Sequence, residues 1–172
     1  MPASPDGPPQ TASDLPHERQ YASEGMPPLA KSVPTSAPPG FTRHFKRSGL
    51  TEPWEPLWSM RTTEAVRIGV HAGPAHCNSR GFVHGALLTA LADNAMGLSC
   101  SEARKATTGS LVTINLSIDF VTSGRQGQWI EVQPTVVRAG GSLCFATALI
   151  LADGEPCARA NGTFKVVGQS EP

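Results

Sequence analysis

The stretch from Asn78 to Gly97, NSRGFVHGALLTALADNAMG, holds the residue types that acyl-transfer chemistry requires. A His84-Gly85 pair opens what reads as a helix, and Asp93 sits in its middle among apolar residues. A carboxylate in such surroundings is costly unless it is paired, neutralised or used. The first turn of a helix presents unpaired backbone N–H groups and a partial positive charge. Gly81 and Gly85 leave room for close approach there, so the amides of Gly85 and Ala86 are candidates to receive a developing oxyanion. A carbonyl held at that end, with a carboxylate placed to activate water or to attack directly, makes an acyl-transfer site. Taken singly, His84 reads as a helix-entry residue and Asp93, followed by Asn94, as an interface hydrogen-bonding group. The combination carries the chemistry.

The spacing adds a condition. His84 and Asp93 are nine residues apart, which on an α-helix is about 180° around the axis and roughly 13 Å along it. One chain cannot easily bring both to one substrate. Two such helices side by side about a two-fold axis can, and the site is then shared between subunits and present twice.

The elements that must position these residues follow from hydrophobic periodicity. The segment EAVRIGVHAG alternates through Val66, Ile68 and Val70 and predicts a strand. The helix is expected from about His84 to Glu102, apolar on all faces and therefore buried. TINLSIDF then alternates, with Ile114, Leu116, Ile118 and Phe120 on one face and Thr113, Asn115, Ser117 and Asp119 on the other. QWIEVQPTVVRA, SLCFATALILA and PCARANGTFKVV complete a meander, joined by Gly140-Gly141 and Asp153-Gly154 turns. Pro134 suits a bulge or an edge position better than a central ladder. GFTRHFKRSGLTEPWEPLWSM, with irregularly spaced aromatics, reads as a short helix or turn covering something apolar. The sum is an α+β domain: an antiparallel sheet wrapped around one long central helix, dimerising through the sheet so that its edges are covered.

Residues 1–40 differ from the rest, holding ten of the sixteen prolines without hydrophobic periodicity. A disordered arm is expected there, with the folded domain over 41–168. The chain is 39% hydrophobic and 16% charged with a formal net charge of zero. That balance excludes a general nucleic-acid binder, which needs a concentrated basic face. Cys77, Cys100, Cys144 and Cys157 form no CxxC pair and read as reduced thiols of a cytoplasmic protein. No apolar leader is visible, and the run Ala86–Cys100 is too short for a bilayer. His71, His76 and Cys77 lack a fourth ligand of suitable spacing, so no metal is expected.

Together, Asn78, His84-Gly85 and Asp93, followed by VTINLSIDF and a glycine-turn meander ending ARANGTF, resemble the hotdog-fold acyl-CoA thioesterases, and within them the phenylacetyl-CoA (PaaI-like) branch. The resemblance runs from about Phe41 to Val167. It implies hydrolysis of an acyl-CoA thioester without metal or bound cofactor, by a homodimer that often pairs again into a homotetramer. It also implies roles: Asp93 as general base or nucleophile, the Gly85 amide polarising the carbonyl with help from Asn78 and His84, and Thr113 positioning water near Asp93. Where the family commonly has a second glycine after His-Gly, this chain has Ala86, which keeps the amide. Where it often has Arg or Lys after the turn glycine, this chain has Gly141. Arg138 or Arg159, with Gly140 and Ser142, are the candidates to meet the anionic CoA instead. Leu88 and Met96, with Leu87, Leu91 and the Trp54–Trp58 segment, are expected to shape the acyl pocket. Two other functions fit the same residues: a hotdog hydratase or dehydratase using His84 with Asp93, and a regulatory dimer that binds acyl-CoA without turning it over.

Overall fold

In the computed structural model, which describes residues 34–104 and 109–168, a seven-stranded antiparallel sheet packs against one long helix. The strands are β1 (Thr42–Arg43), β2 (Trp58–Arg61), β3 (Val66–His71), β4 (Ser110–Phe120), β5 (Trp129–Ala139), β6 (Leu143–Ala152) and β7 (Glu155–Val167), and the helix α1 spans Gly85–Ala103. The sheet order is β1-β2-β3-β5-β6-β7-β4, so β4, the strand directly after the helix, lies at an edge. Most of the predicted arm, up to residue 33, falls outside the described residues. At its end, the Ser36 carbonyl meets His71 Nε2 at 2.9 Å.

The segment before β3 differs from the expected helix or turn. It contains the short strands β1 and β2, with a 3-10 turn at Glu52–Trp54 between them. Strands of two and four residues are too short to display an alternation, which is why the pattern did not disclose them.

One face of α1 makes the core. Leu87, Leu88, Leu91, Ala92, Ala95, Met96, Ser99 and Cys100 are buried, a stripe at i, i+1, i+4, i+5 spacing. They pack on the inward residues of the sheet, among them Val70, Val132, Ala146, Ile150 and Phe164. Burial of one such leucine contributes about 1.5–3 kcal/mol, and Leu91→Ala would cost about 2–5 with its cavity. The helix is not buried on every side, as its composition suggested. Thr89, Ala90, Asp93, Asn94, Gly97 and Leu98 are only half-buried, and Ser101 is exposed. This second face is narrow and small-residued, and it carries the acid.

Two local features settle points the sequence raised. Pro134 is paired with Ala148 of β6, while the ladder between β3 and β5 ends at Ile68 with Val132. The missing N–H therefore faces a side of β5 that has no ladder to lose. Asp153 and Gly154 both have positive φ, 49° and 89°, the geometry of the two-residue hairpin turn that Asp-Gly favours. Gly69 has a different reason to be glycine: a Cβ there would lie 2.2 Å from the Trp129 ring.

Candidate active site

The first half of the site is a small hairpin feeding the helix. Asn78 N–H donates to the Phe82 carbonyl, and His84 N–H donates to the His76 carbonyl at 2.9 Å. The turn closes with Gly81 N–H on the Asn78 carbonyl, with Gly81 at φ 75°, which glycine adopts without cost. Its outer strand is held on the 124–126 loop by Val83 N–H to the Gly124 carbonyl and Gln126 N–H to the Gly81 carbonyl. Behind it, the buried ring of His76 accepts from Gly73 N–H at 2.7 Å through Nδ1 and meets the Trp54 carbonyl at 3.0 Å through Nε2. Burial pushes the His76 imidazole below its ordinary value, partly opposed by that carbonyl contact. His76 is thus a neutral clamp that joins the hairpin to the β1–β2 segment, and not a metal ligand.

Within the hairpin the donors are sorted by geometry. Asn78 Oδ1 accepts from Arg80 N–H at 2.9 Å and from Phe82 N–H at 3.2 Å. The side-chain amide is therefore turned with its NH2 group free of partners among the described residues. His84 caps the helix, its Nδ1 accepting from Ala86 N–H at 3.0 Å, which leaves Nε2 as the ring nitrogen without a partner among the described residues. This corrects the expectation for Ala86, whose amide is already engaged. The Gly85 N–H has no acceptor among the described residues and remains the free backbone donor. A Cβ on Gly85 would lie 2.9 Å from the Phe120 ring, so the bare backbone at this point has a packing reason.

The second half of the site is on the open face of the helix. The Thr113 hydroxyl donates to Asp93 Oδ1 at 2.7 Å. The sequence pattern placed Thr113 with Asn115, Ser117 and Asp119 on the face away from Ile114 and Leu116. A bulge overturns that assignment: Thr113 pairs with Phe164 and Asn115 with Thr163, so two residues of β4 that are two apart oppose neighbours on β7. Thr113 consequently points to the helix side, with Leu116, Ile118 and Phe120, while Ile114 is the extra residue and is 54% exposed. An added residue in one strand is a known way to re-aim a side chain. Asp93 and Thr113 line a cleft of about 260 Å³ that runs past Asn94 to Ser101 and Ser110, with Lys46 on its wall. The sequence pointed to Asp93 and Thr113 but not to Lys46, which lies in the segment read as apolar cover.

The remaining candidates fall elsewhere. Arg138, Gly140 and Ser142 share a separate surface pocket of about 340 Å³ with Leu143 and Phe145. Arg159 Nε is bonded to Asp119 Oδ2 at 2.9 Å, opposite one another on β7 and β4. Leu88 and Met96 are packed in the core, 2% and 0% exposed. Neither lines the Asp93 cleft, where Gly97 and Leu98 stand instead. Among the described residues, no group of three His, Cys, Asp or Glu could hold a metal ion, and no helix is long and apolar enough to cross a membrane.

A thioesterase-superfamily model matches residues 80–158, from the hairpin through α1 into β7. A Pseudomonas aeruginosa protein named as a putative esterase is 30% identical over 130 residues, spanning 75% of this chain and 96% of that one. Among solved structures, a hypothetical thioesterase from Streptococcus pneumoniae with coenzyme A superposes at TM-score 0.60 and 22% identity, covering 69% of this chain and 94% of that one. A Streptococcus mutans protein bound to acetyl CoA gives TM-score 0.62 at 22% identity, covering 74% and 98%.

Proposed function

Because the chain belongs to the thioesterase superfamily, with the helix-and-sheet layout of its hotdog members, we propose that it hydrolyses an acyl-CoA thioester at a site completed by a second copy of itself. Asp93 is the general base or nucleophile, and Gly85, with Asn78 and His84, is the acceptor end for the carbonyl oxygen. The observation that carries the reading is the Asp93–Thr113 hydrogen bond in an open cleft. A threonine hydroxyl spent on one carboxylate oxygen orients the other toward the cleft. Variants of the streptococcal neighbour with a threonine or an aspartate replaced by alanine have been crystallised, the two residue types that pair here.

In the base mechanism, Asp93 takes a proton from water as the water oxygen bonds to the thioester carbon. The carbonyl electrons move onto the oxygen facing Gly85 N–H, then return as the C–S bond breaks. The sulfur leaves with its electron pair and takes up the proton that Asp93 removed from water, which gives the thiol of free CoA and returns Asp93 to the carboxylate. As nucleophile, Asp93 instead forms a mixed anhydride that water opens. Preorganised donors at the oxyanion are typically worth about 10²–10³ in rate each.

The geometry of a single chain supports a role for a second copy. Gly85 lies roughly 12 Å from Asp93 along the helix, and His84 lies about 180° from Asp93 around it. The half-buried face of α1, rich in Gly, Ala, Thr and Asn, permits another helix to approach closely. The outer edge of β4 is eleven residues long and carries Val112 and Ile114 at 49% and 54% exposure. An unprotected edge of that length calls for a partner. Isologous pairing of two β4 edges sets two α1 helices side by side and Asp93 against the partner's helix start. The outward Leu143, Phe145 and Leu149, 38–41% exposed, supply an apolar surface for the further pairing of dimers. The CoA phosphates fall to Arg138 and Ser142, since Arg159 is already held by Asp119.

The test is release of CoA from aryl and aliphatic acyl-CoAs by wild type and Asp93→Asn. A loss of about 10²-fold or more in the variant supports the catalytic carboxylate. Mixing Asp93→Asn with Asn78→Ala protomers then restores part of the activity if the site is shared between chains. Binding of acyl-CoA without hydrolysis by either protein would overturn the enzyme in favour of a regulatory dimer.

A further inference from the structure

The Asp93 cleft continues along α1 away from the helix start, toward Ser101 and Ser110, and Lys46 lies on its wall. That lysine differs from the cations around it. Arg43 and Arg47 both approach Glu55, at 3.9 Å each, and Arg61 pairs with Glu102 at 3.0 Å and stacks on Phe45. Lys46 has no carboxylate partner among the described residues, Asp93 included, although both border one cavity. The rest of the lining combines hydroxyls and an amide, from Asn94, Ser101, Ser110 and Thr113, with the apolar side chains of Leu98, Leu111 and Phe164 and two glycines. A pocket for a plain hydrocarbon chain is lined mainly by apolar side chains, with a few polar groups that fix orientation. Here the lining surface that faces the cleft is mostly polar, despite three apolar side chains. Its volume of about 260 Å³ has room for a short acyl arm.

Resting on the thioesterase reading, we propose that Lys46 and the hydroxyls beside it bind an anionic oxygen group at the far end of a short acyl arm, so that the preferred substrates are thioesters of dicarboxylic acids. The reactive carbonyl sits at Asp93, and the distal carboxylate meets the Lys46 ammonium on the wall of the same cleft. The same ammonium chemistry could serve a CoA phosphate, and the experiment separates the two sources.

Wild type and Lys46→Gln are compared on glutaryl-CoA, pentanoyl-CoA and pentanoyl-pantetheine. The expected result is a drop of about tenfold or more in kcat/KM on glutaryl-CoA, mostly in KM, with less than twofold change on both pentanoyl thioesters; a charge-assisted hydrogen bond accounts for a factor of this size. Lys46→Glu should lower glutaryl-CoA hydrolysis further and leave pentanoyl-CoA unchanged. If Lys46→Gln loses equally on glutaryl-CoA and pentanoyl-CoA but not on pentanoyl-pantetheine, the anion is a CoA phosphate and the acyl assignment is overturned. If no substrate distinguishes the variant, Lys46 binds nothing and the proposal fails. Binding of glutaryl-CoA and pentanoyl-CoA to Asp93→Asn by calorimetry makes the same comparison without turnover. A Lys46-dependent preference for glutaryl-CoA there stands even if hydrolysis does not, and its absence overturns the proposal even if hydrolysis is confirmed.

Discussion

His76 offers a quantitative test of how the hairpin that carries Asn78 and His84 is held. Its buried ring bonds Gly73 N–H at 2.7 Å and the Trp54 carbonyl at 3.0 Å. His76→Ala leaves both backbone groups without their partner. Each such loss costs about 1–3 kcal/mol, and water entering the vacated space recovers part of it, so the expected destabilisation is about 2–4 kcal/mol. The ring also sets a pH signature. Burial lowers the folded-state value of His76, against the Trp54 contact, and burial is likewise the largest cause of the lowering at His44. A folded value below the unfolded one of about 6.5 means that the unfolded chain binds more protons in the window between them. The stabilisation from each neutral ring is complete above about pH 6.5 and is lost as pH falls toward the folded value, at up to about 1.4 kcal/mol per pH unit per histidine. Urea unfolding at pH 7.5 and 5.5, at one fixed protomer concentration, should show His76→Ala less stable at the higher pH and losing less than wild type on acidification. A destabilisation under about 0.5 kcal/mol at pH 7.5, or an acid loss equal to wild type, would refute the clamp.

Three further outcomes follow from the geometry. Thr113→Val removes the 2.7 Å hydroxyl bond to Asp93; kcat should fall about tenfold to a hundredfold with KM little changed, as for loss of a hydrogen bond to a charged group, measured by CoA release. Gly69→Ala would press a Cβ into the Trp129 ring, 2.2 Å from its nearest atom, and should cost about 1–3 kcal/mol by overpacking, visible as a lower urea midpoint with an unchanged m-value. Burial raises the thiols of Cys77, Cys100 and Cys157, Cys100 to about 12 with Cys144 beside it. In the native protein an aromatic disulfide reagent should therefore react with half-buried Cys77 first, and with the buried thiols only on unfolding.

Much of this molecule was written locally. The apolar helix itself, the alternation of β3, β6 and β7, and the Asp153-Gly154 turn each depend on neighbours within a few residues, so composition, periodicity and turn chemistry disclosed them, although not which side of the helix meets the sheet. The His84-Gly85 helix start and Asp93 were visible for the same reason: their meaning rests on position along one helix. What the sequence could not decide depends on pairing between distant segments. Thr113 faces Asp93 only because β4 gains a residue against β7 at Ile114, and an insertion relative to another strand leaves no mark in the strand's own alternation. The engagement of the Ala86 amide by His84, the freedom of the Asn78 NH2 group and the arrival of Lys46 at the Asp93 cleft from more than forty positions away are likewise products of assembly. The sequence determined which elements form and which residues could react. Tertiary packing decided which of those residues meet, because register and loop closure are properties of pairs of segments and not of either one.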